Sequence, residues 1–138
     1  MPAKFDVILP TYSRPELTQK CIESILKYSG EDFRLIWICN PYPGPEPNVE
    51  TWSRHIYRLR PLENLGYTKS INAGLAFSTA LYAVLLNSDT EVMTEGWLEK
   101  LAEGFVGAPK LGVIGPATDR PQQGLAGTLP KNTGLHFV

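Results

Sequence analysis

Short apolar runs that stop in polar turns alternate along this chain with stretches whose apolar residues recur every three or four positions. FDVILP, Phe5 to Pro10, is an apolar run closed by proline and followed by the turn TYSRP, which predicts a buried strand feeding a helix. Pro15 suits the first turn of that helix, where a missing N–H costs little; Ser13 or Arg14 precedes it as cap and Glu16 complements the positive end of the dipole. Leu17, Cys21, Ile25 and Leu26 fall on one face, and Gly30 supplies the stop. FRLIWICN, Phe33 to Asn40, reads as a second buried strand running into the stiff loop PYPGPEP, and HIYRLR, His55 to Arg60, as a short third. Gly66, Thr68, Ile71, Leu75 and Ala76 predict a capped second helix, Tyr82 to Leu86 a fourth strand, and Trp97, Leu98, Leu101 and Phe105 a third helix beginning after Thr94. LGVIGP reads as a fifth strand. Residues 117–138, rich in glycine, proline and polar side chains, are expected to form a mobile or partner-ordered tail behind a core of residues 1–116.

Strands alternating with helices imply an α/β fold: a doubly wound, mostly parallel sheet with helices on both faces. The commonest doubly wound order, 3-2-1-4, opens a crevice beyond the strand ends where the chain reverses direction. Pro10 to Arg14 would line one side of it and Asn87 to Glu91 the other.

Composition narrows the function. The 138 residues, 43% of them hydrophobic, fit one domain. Thirteen basic against fourteen acidic residues leave a net charge of −1, which offers no field for nucleic acid. No apolar run approaches the roughly 20 residues of a membrane span, and the amino terminus has no signal-peptide layout, so a soluble, cytoplasmic protein is expected. Cys21 and Cys39 are too few for a disulfide framework or a four-ligand zinc site and are expected as buried thiols. No GxSxG nucleophile motif, GxGxxG loop or GxxxxGK[ST] loop is present.

The chemistry concentrates where YAVLLNSDTEV turns from apolar to polar. A carboxylate fixed at a strand end in such a crevice can hold a hard divalent cation, with oxygen ligands suited to magnesium or manganese. A cation there typically bridges a diphosphate, whose charge the helix amino end, Arg14 and Lys69 could share in neutralising. Tyr12 borders the crevice, where it can either stack on a base or pack quietly; Trp97 and Tyr67 read as packing residues, and Arg54, Arg58 and Arg60 as edge charges.

FDVILPTYSRPELTQKCIESIL, NLGYTKSINAGLAFSTALYAVLLNSDTEV, GWLEKL and LGVIGP, in that order, together resemble the GT-A-type glycosyltransferases of family 2. The resemblance runs to about Pro116 and implies a Rossmann-like nucleotide-binding core in a short form lacking most of the C-terminal acceptor region. It implies that Pro10, Thr11, Tyr12 and Arg14 approach the nucleotide. Asn64, Gly66, Lys69, Asn72 and Gly74 would lie against the sugar nucleotide. Asn87, Ser88 and Asp89 would stand at the Asp-x-Asp site. Asn87 replaces the first aspartate, so Asp89 is the expected metal ligand for Mn2+ or Mg2+, with weak metal binding when no nucleotide is present. Asn40 stands at a commonly acidic position and would hydrogen-bond the base or ribose. The implied reaction moves a sugar from a nucleotide-diphosphate donor to a glycan or other hydroxyl acceptor with inversion. Asp119 is the candidate base, with His136 behind it. Two other readings stand beside this one: a catalytically deficient donor-binding module, truncated or dependent on a partner, and a generic nucleotide-binding domain. An acceptor site completed by a second copy of the chain is the expected role of any homo-oligomer.

Overall fold

A computed structural model describes residues 2–49 and 53–116. Four parallel strands, β1 (Phe5–Thr11), β2 (Phe33–Cys39), β3 (Ile56–Leu59) and β4 (Tyr82–Leu85), lie in the order β3-β2-β1-β4. Three helices complete the described elements: α1 (Pro15–Tyr28), α2 (Gly66–Phe77) and α3 (Trp97–Glu103). The strand order and the helices on both faces agree with the expectation. No helix among the described residues is long and apolar enough to cross a membrane.

Period-two alternation in β1 sorts its side chains between two cores. Phe5, Val7 and Leu9 face a cluster with Cys21, Ile22 and Ile25 of α1, Phe33, Leu35 and Trp37 of β2, and Trp97 and Leu98 of α3. Ile8 faces the other way, onto Ile36, Ile38 and Ile71 of α2. Each fully buried side chain of this size contributes about 1.5–3 kcal/mol. Gly74 lets α2 approach: a Cβ there would stand 2.4 Å from Cγ2 of Ile8.

Asp6 is the charged residue in this apolar strand, wholly buried, and it explains how β1 tolerates it. Arg34, its direct partner in the parallel register, grips it through Nε to Oδ1 at 2.7 Å and Nη2 to Oδ2 at 2.6 Å. Ser78 Oγ and the amides of Thr79 and Ala80 donate to Oδ2 at 2.7, 3.0 and 3.1 Å, which fixes the turn between α2 and β4. Burial alone would push this carboxyl up, but the bonds from Arg34, Ser78, Thr79 and Ala80 outweigh it and hold the group below the ordinary aspartate value.

Several expectations need correcting. LGVIGP forms no strand: among the described residues, residues 111–116 join no ladder, and two glycines and a proline in six residues disfavour one. Ile114 instead packs against the end of α3, close enough that a Cβ on Gly104 would meet its Cδ1 at 2.7 Å. The buried face of α1 is Thr18, Cys21, Ile22, Ser24 and Ile25; Leu17 lies off it and Leu26 only borders it. On α2 the buried residues are Ser70, Ile71 and Gly74, while Leu75 is 43% exposed. Neither α1 nor α2 has a side-chain cap. Cys39 is half-buried, with Arg58 Nη2 3.2 Å from its sulfur. Residues 117–138, including Asp119 and His136, lie outside the described residues.

Among the described residues nothing pairs with the outer side of β4. An apolar groove of about 750 Å3 runs beside it, lined by Leu75, Leu81, Val84, Leu85, Phe105 and Ile114 among others. At the opposite edge, Arg58 of β3 lies 4.1 Å over the Trp37 ring and pairs with Glu46, as does Arg60. Hydrogen bonds from Arg60 and then Arg58 pull the Glu46 carboxyl down to about 2 and tie the proline-rich loop to the sheet.

Candidate functional site

The carboxyl ends of β1, β2 and β4 and the start of α2 enclose a cavity of about 740 Å3. Three separate stretches of sequence meet there: Pro10 to Arg14 from the β1–α1 turn, Asn64 to Tyr67 from the α2 entry, and Asn87 to Asp89 after β4, with Asn40 and Leu17 completing the wall. This is the crevice expected at the reversal between β1 and β4.

Each wall has a local cause. Leu86 N still bonds Ile8 O at 3.1 Å, carrying the chain to the end of the sheet. Asn87 O then accepts from Thr90 N at 3.3 Å and Thr90 Oγ1 at 2.7 Å, closing a turn that leaves Asp89 exposed at its tip. Helix α1 holds this turn from behind: Ser24 Oγ accepts from Val92 N at 2.9 Å, and Cys21 Sγ lies 3.7 Å from Asn87 O. Burial, with the nearby Asp89 charge as a lesser cause, pushes the Cys21 thiol up to about 11, so it stays protonated as a packing and donor group. At the α2 entry, Asn64 Oδ1 accepts from Gly66 N at 2.9 Å, an Asx turn, and Gly66 takes φ 68°.

Arg14 is built differently from its neighbours. It sits at φ 56°, ψ 64°, left-handed, immediately before a proline, and among the described residues it is the one non-glycine residue with positive φ. A side chain in that region costs about 1–2 kcal/mol, and such strain gathers at binding sites. Arg14→Gly is therefore expected to raise the melting temperature by a few degrees while weakening binding of phosphate-bearing ligands. A thermal melt with an unchanged or lower midpoint would show that the turn is unstrained.

A second hollow, about 420 Å3, adjoins the first beneath the loop of Pro41, Pro45 and Pro47, with Tyr12 and Tyr42 in edge contact at 5.4 Å on its rim. Tyr42, Tyr67, Ser13 and Leu17 thus join the site residues. Tyr42 was hidden in a proline cluster that reads only as loop, and Leu17 in a helical period that reads as core.

The expected residues Pro10, Thr11, Tyr12, Arg14, Asn40, Asn64, Gly66, Asn87, Ser88 and Asp89 all line the cavity; Lys69 and Asn72 are exposed on α2 and do not. Several liners already have partners. Thr11 Oγ1 accepts from Trp37 Nε1 at 2.8 Å, and the carboxamide of Asn40 is bonded to Thr11, Ser70 and Leu65. The groups left to meet a ligand are the rings of Tyr12 and Tyr67, Ser13, the Arg14 guanidinium, the Asn87 carboxamide, Ser88 and Asp89. No cluster of three or more histidine, cysteine or acidic side chains exists among the described residues. One carboxylate beside a carboxamide and a hydroxyl suits a hard cation shared with ligand phosphates, not a closed protein cage.

A sequence model for glycosyl transferase family 2 matches residues 6–136. No curated protein matches the chain significantly. Among solved structures, S. aureus TarS aligns at 19% identity with a TM-score of 0.63, over 75% of this chain and 19% of TarS. S. aureus TarS 1–349 in complex with UDP aligns at 19% identity with a TM-score of 0.66, over 86% of this chain and 38% of that one. A further structure of S. aureus TarS 1–349 aligns at 18% identity with a TM-score of 0.63 over the same shares. The chain therefore spans less than two fifths of the TarS chains it matches, and the likeness at these identities is one of fold.

Proposed function

The chain belongs to glycosyl transferase family 2, and on that premise we propose that its cavity binds a nucleotide-diphosphate sugar and that the chain transfers the sugar to an acceptor hydroxyl with inversion. The observation that carries this reading is the convergence of the TYSR, NLGY and NSD stretches, distant in sequence, on one cavity at the sheet's switch point. The solved likeness to a TarS structure holding UDP supports the same choice of ligand.

The two adjoining hollows divide the donor. In this reading the base takes the smaller one, beside Tyr12 and Tyr42, and the diphosphate the larger, toward Arg14 and Asp89, residues that line the two hollows. Asp89, with Asn87 and Ser88 beside it, would hold Mn2+ or Mg2+ together with the diphosphate. Such a cation stabilises negative charge on a departing diphosphate. Arg14 supplies a positive charge to the same diphosphate. The acceptor hydroxyl needs a base within hydrogen-bond reach, a role assigned to Asp119.

One observation favours a second reading, a donor-binding module that needs a partner or a second copy for turnover. Asp89 is the sole carboxylate or histidine lining the larger cavity among the described residues, and it is already assigned to the cation.

Thermal melts with UDP-, GDP- and dTDP-sugars, with and without manganese, test donor binding directly. A donor at one hundred times its Kd adds about 2.7 kcal/mol to the native state, so the matching donor should raise the midpoint by several degrees. An unmoved midpoint with all three would overturn the reading. Turnover on a panel of hydroxyl acceptors then separates the enzyme from the binding module.

A further inference from the structure

Asn40 follows the last residue of β2 and is 5% exposed. Its amide N–H donates to Thr11 O at 3.0 Å, and its Nδ2 donates both to Thr11 O at 3.1 Å and to Ser70 Oγ at 2.9 Å. Its Oδ1 accepts from Leu65 N at 2.9 Å. Ser70 Oγ passes the chain on to Gly66 O at 2.5 Å. One side chain thus joins the end of β1, the end of β2, the Asn64–Gly66 turn and the first turn of α2. All four of those segments contribute walls to the larger cavity.

A carboxamide has two N–H donors and one carbonyl oxygen. Here both donors are used and the oxygen is engaged, so nothing is left to donate to a base and at most one lone pair to accept from it. We infer that Asn40 is a positioning residue: it sets the distance between the β1–α1 turn and the α2 entry, and so tunes affinity for the whole donor without reading its base. This rests on the donor-binding reading above. The chemistry also explains why asparagine stands here. An aspartate carries no donor, so its oxygens would face Thr11 O, another acceptor, at the distance now spanned by a hydrogen bond.

Asn40→Asp gives opposite outcomes for the two roles. Titration calorimetry with UDP, GDP and dTDP, each with manganese, is expected to show a loss of about tenfold or more that is the same factor for every base. Tighter binding of one base, or affinities unchanged for all three, would overturn the inference, since a base reader changes ratios and a merely structural residue changes none at temperatures well below the melt. Ser70→Ala keeps the test alive where the aspartate variant does not fold. Ser70 is fully buried and lines neither hollow, so its effect on nucleotide affinity must pass through the chain it forms between Asn40 and Gly66. A uniform loss of about threefold is expected for it, and no change would count against the latch. Hydrogen exchange at the Leu65 amide supplies a readout that needs no ligand: slow in the parent chain and fast in Asn40→Asp, with slow exchange in both overturning the latch. A parent chain that binds no nucleotide would end the donor reading, and the Leu65 exchange would still decide whether the latch exists.

Discussion

Asp89→Ala is expected to abolish the manganese-dependent part of donor stabilisation while leaving the melting temperature of the free chain within about a degree of the parent, as for surface changes worth less than about 0.5 kcal/mol. The carboxylate sits exposed at the tip of the Asn87–Thr90 turn. The turn is closed by Thr90 and backed by Ser24 and Cys21, none of which needs the Asp89 side chain. The ion pairs seen among the described residues involve Asp6, Glu31 and Glu46 instead. Its loss therefore removes a charge from the cavity without uncovering anything. Because Asn87 is neutral and Glu91 does not line the cavity, no other carboxylate among the described residues stands in it to take over, and the effect should be nearly complete where a site with two aspartates would lose only part. Melts with the matching donor at fixed concentration, with and without manganese, read this directly. A full metal-dependent shift in the variant would move the cation, or the donor, away from this strand end.

Asp6→Asn should be the most destabilising single change in the described chain that leaves side-chain volume intact. Removing one partner of a buried ion pair costs about 3–5 kcal/mol, against a total of about 5–15 kcal/mol for a domain. Whichever way the carboxamide turned, its NH2 would face donors: Arg34 Nε in place of Oδ1, or Arg34 Nη2, Ser78 Oγ and the amides of Thr79 and Ala80 in place of Oδ2. Arg34→Met should cost a similar amount: Ser78, Thr79 and Ala80 would still bond Oδ2, but Oδ1 would lose the bond from Arg34 Nε and the buried carboxylate its counter-charge. The same network fixes the sign of the pH dependence. The folded pKa of Asp6 lies below its unfolded value near 3.8, so its contribution is present above that pH and is lost as acid carries the chain down through the folded pKa. Urea midpoints measured from neutral pH down into that range should fall for the parent and change less for Asp6→Asn. Parallel curves would assign the acid sensitivity to other groups.

The elements that position the site were readable because their cause is local. Pro15 at the start of α1, glycine after α1 and the change from apolar to polar at Asn87 mark element ends regardless of what packs where. The Asp6–Arg34 pair left a trace that went unused: FDVILP and FRLIWIC both open with phenylalanine and a charge, and a parallel register sets the two charges side by side. LGVIGP shows the opposite case. Its apolar run promised a strand, but a strand exists only with a hydrogen-bonded neighbour, which no run of residues can reveal. Asn40 was legible as a liner and not as a latch, since whether its amide is free depends on Leu65, Ser70 and Thr11, all distant in sequence.

The two flanks of the sheet are dressed unequally. Arg58 rides on β3 with Arg54 and Arg60 close by, a cationic fringe that discourages a stray peptide from annealing there. Tyr82 to Leu85 carries no such guard, and Leu81 and Leu85 stand 75% and 50% bare beside it. Among the described residues, apolar side chains and unpaired main-chain polarity therefore lie together at one flank of the sheet, along β4.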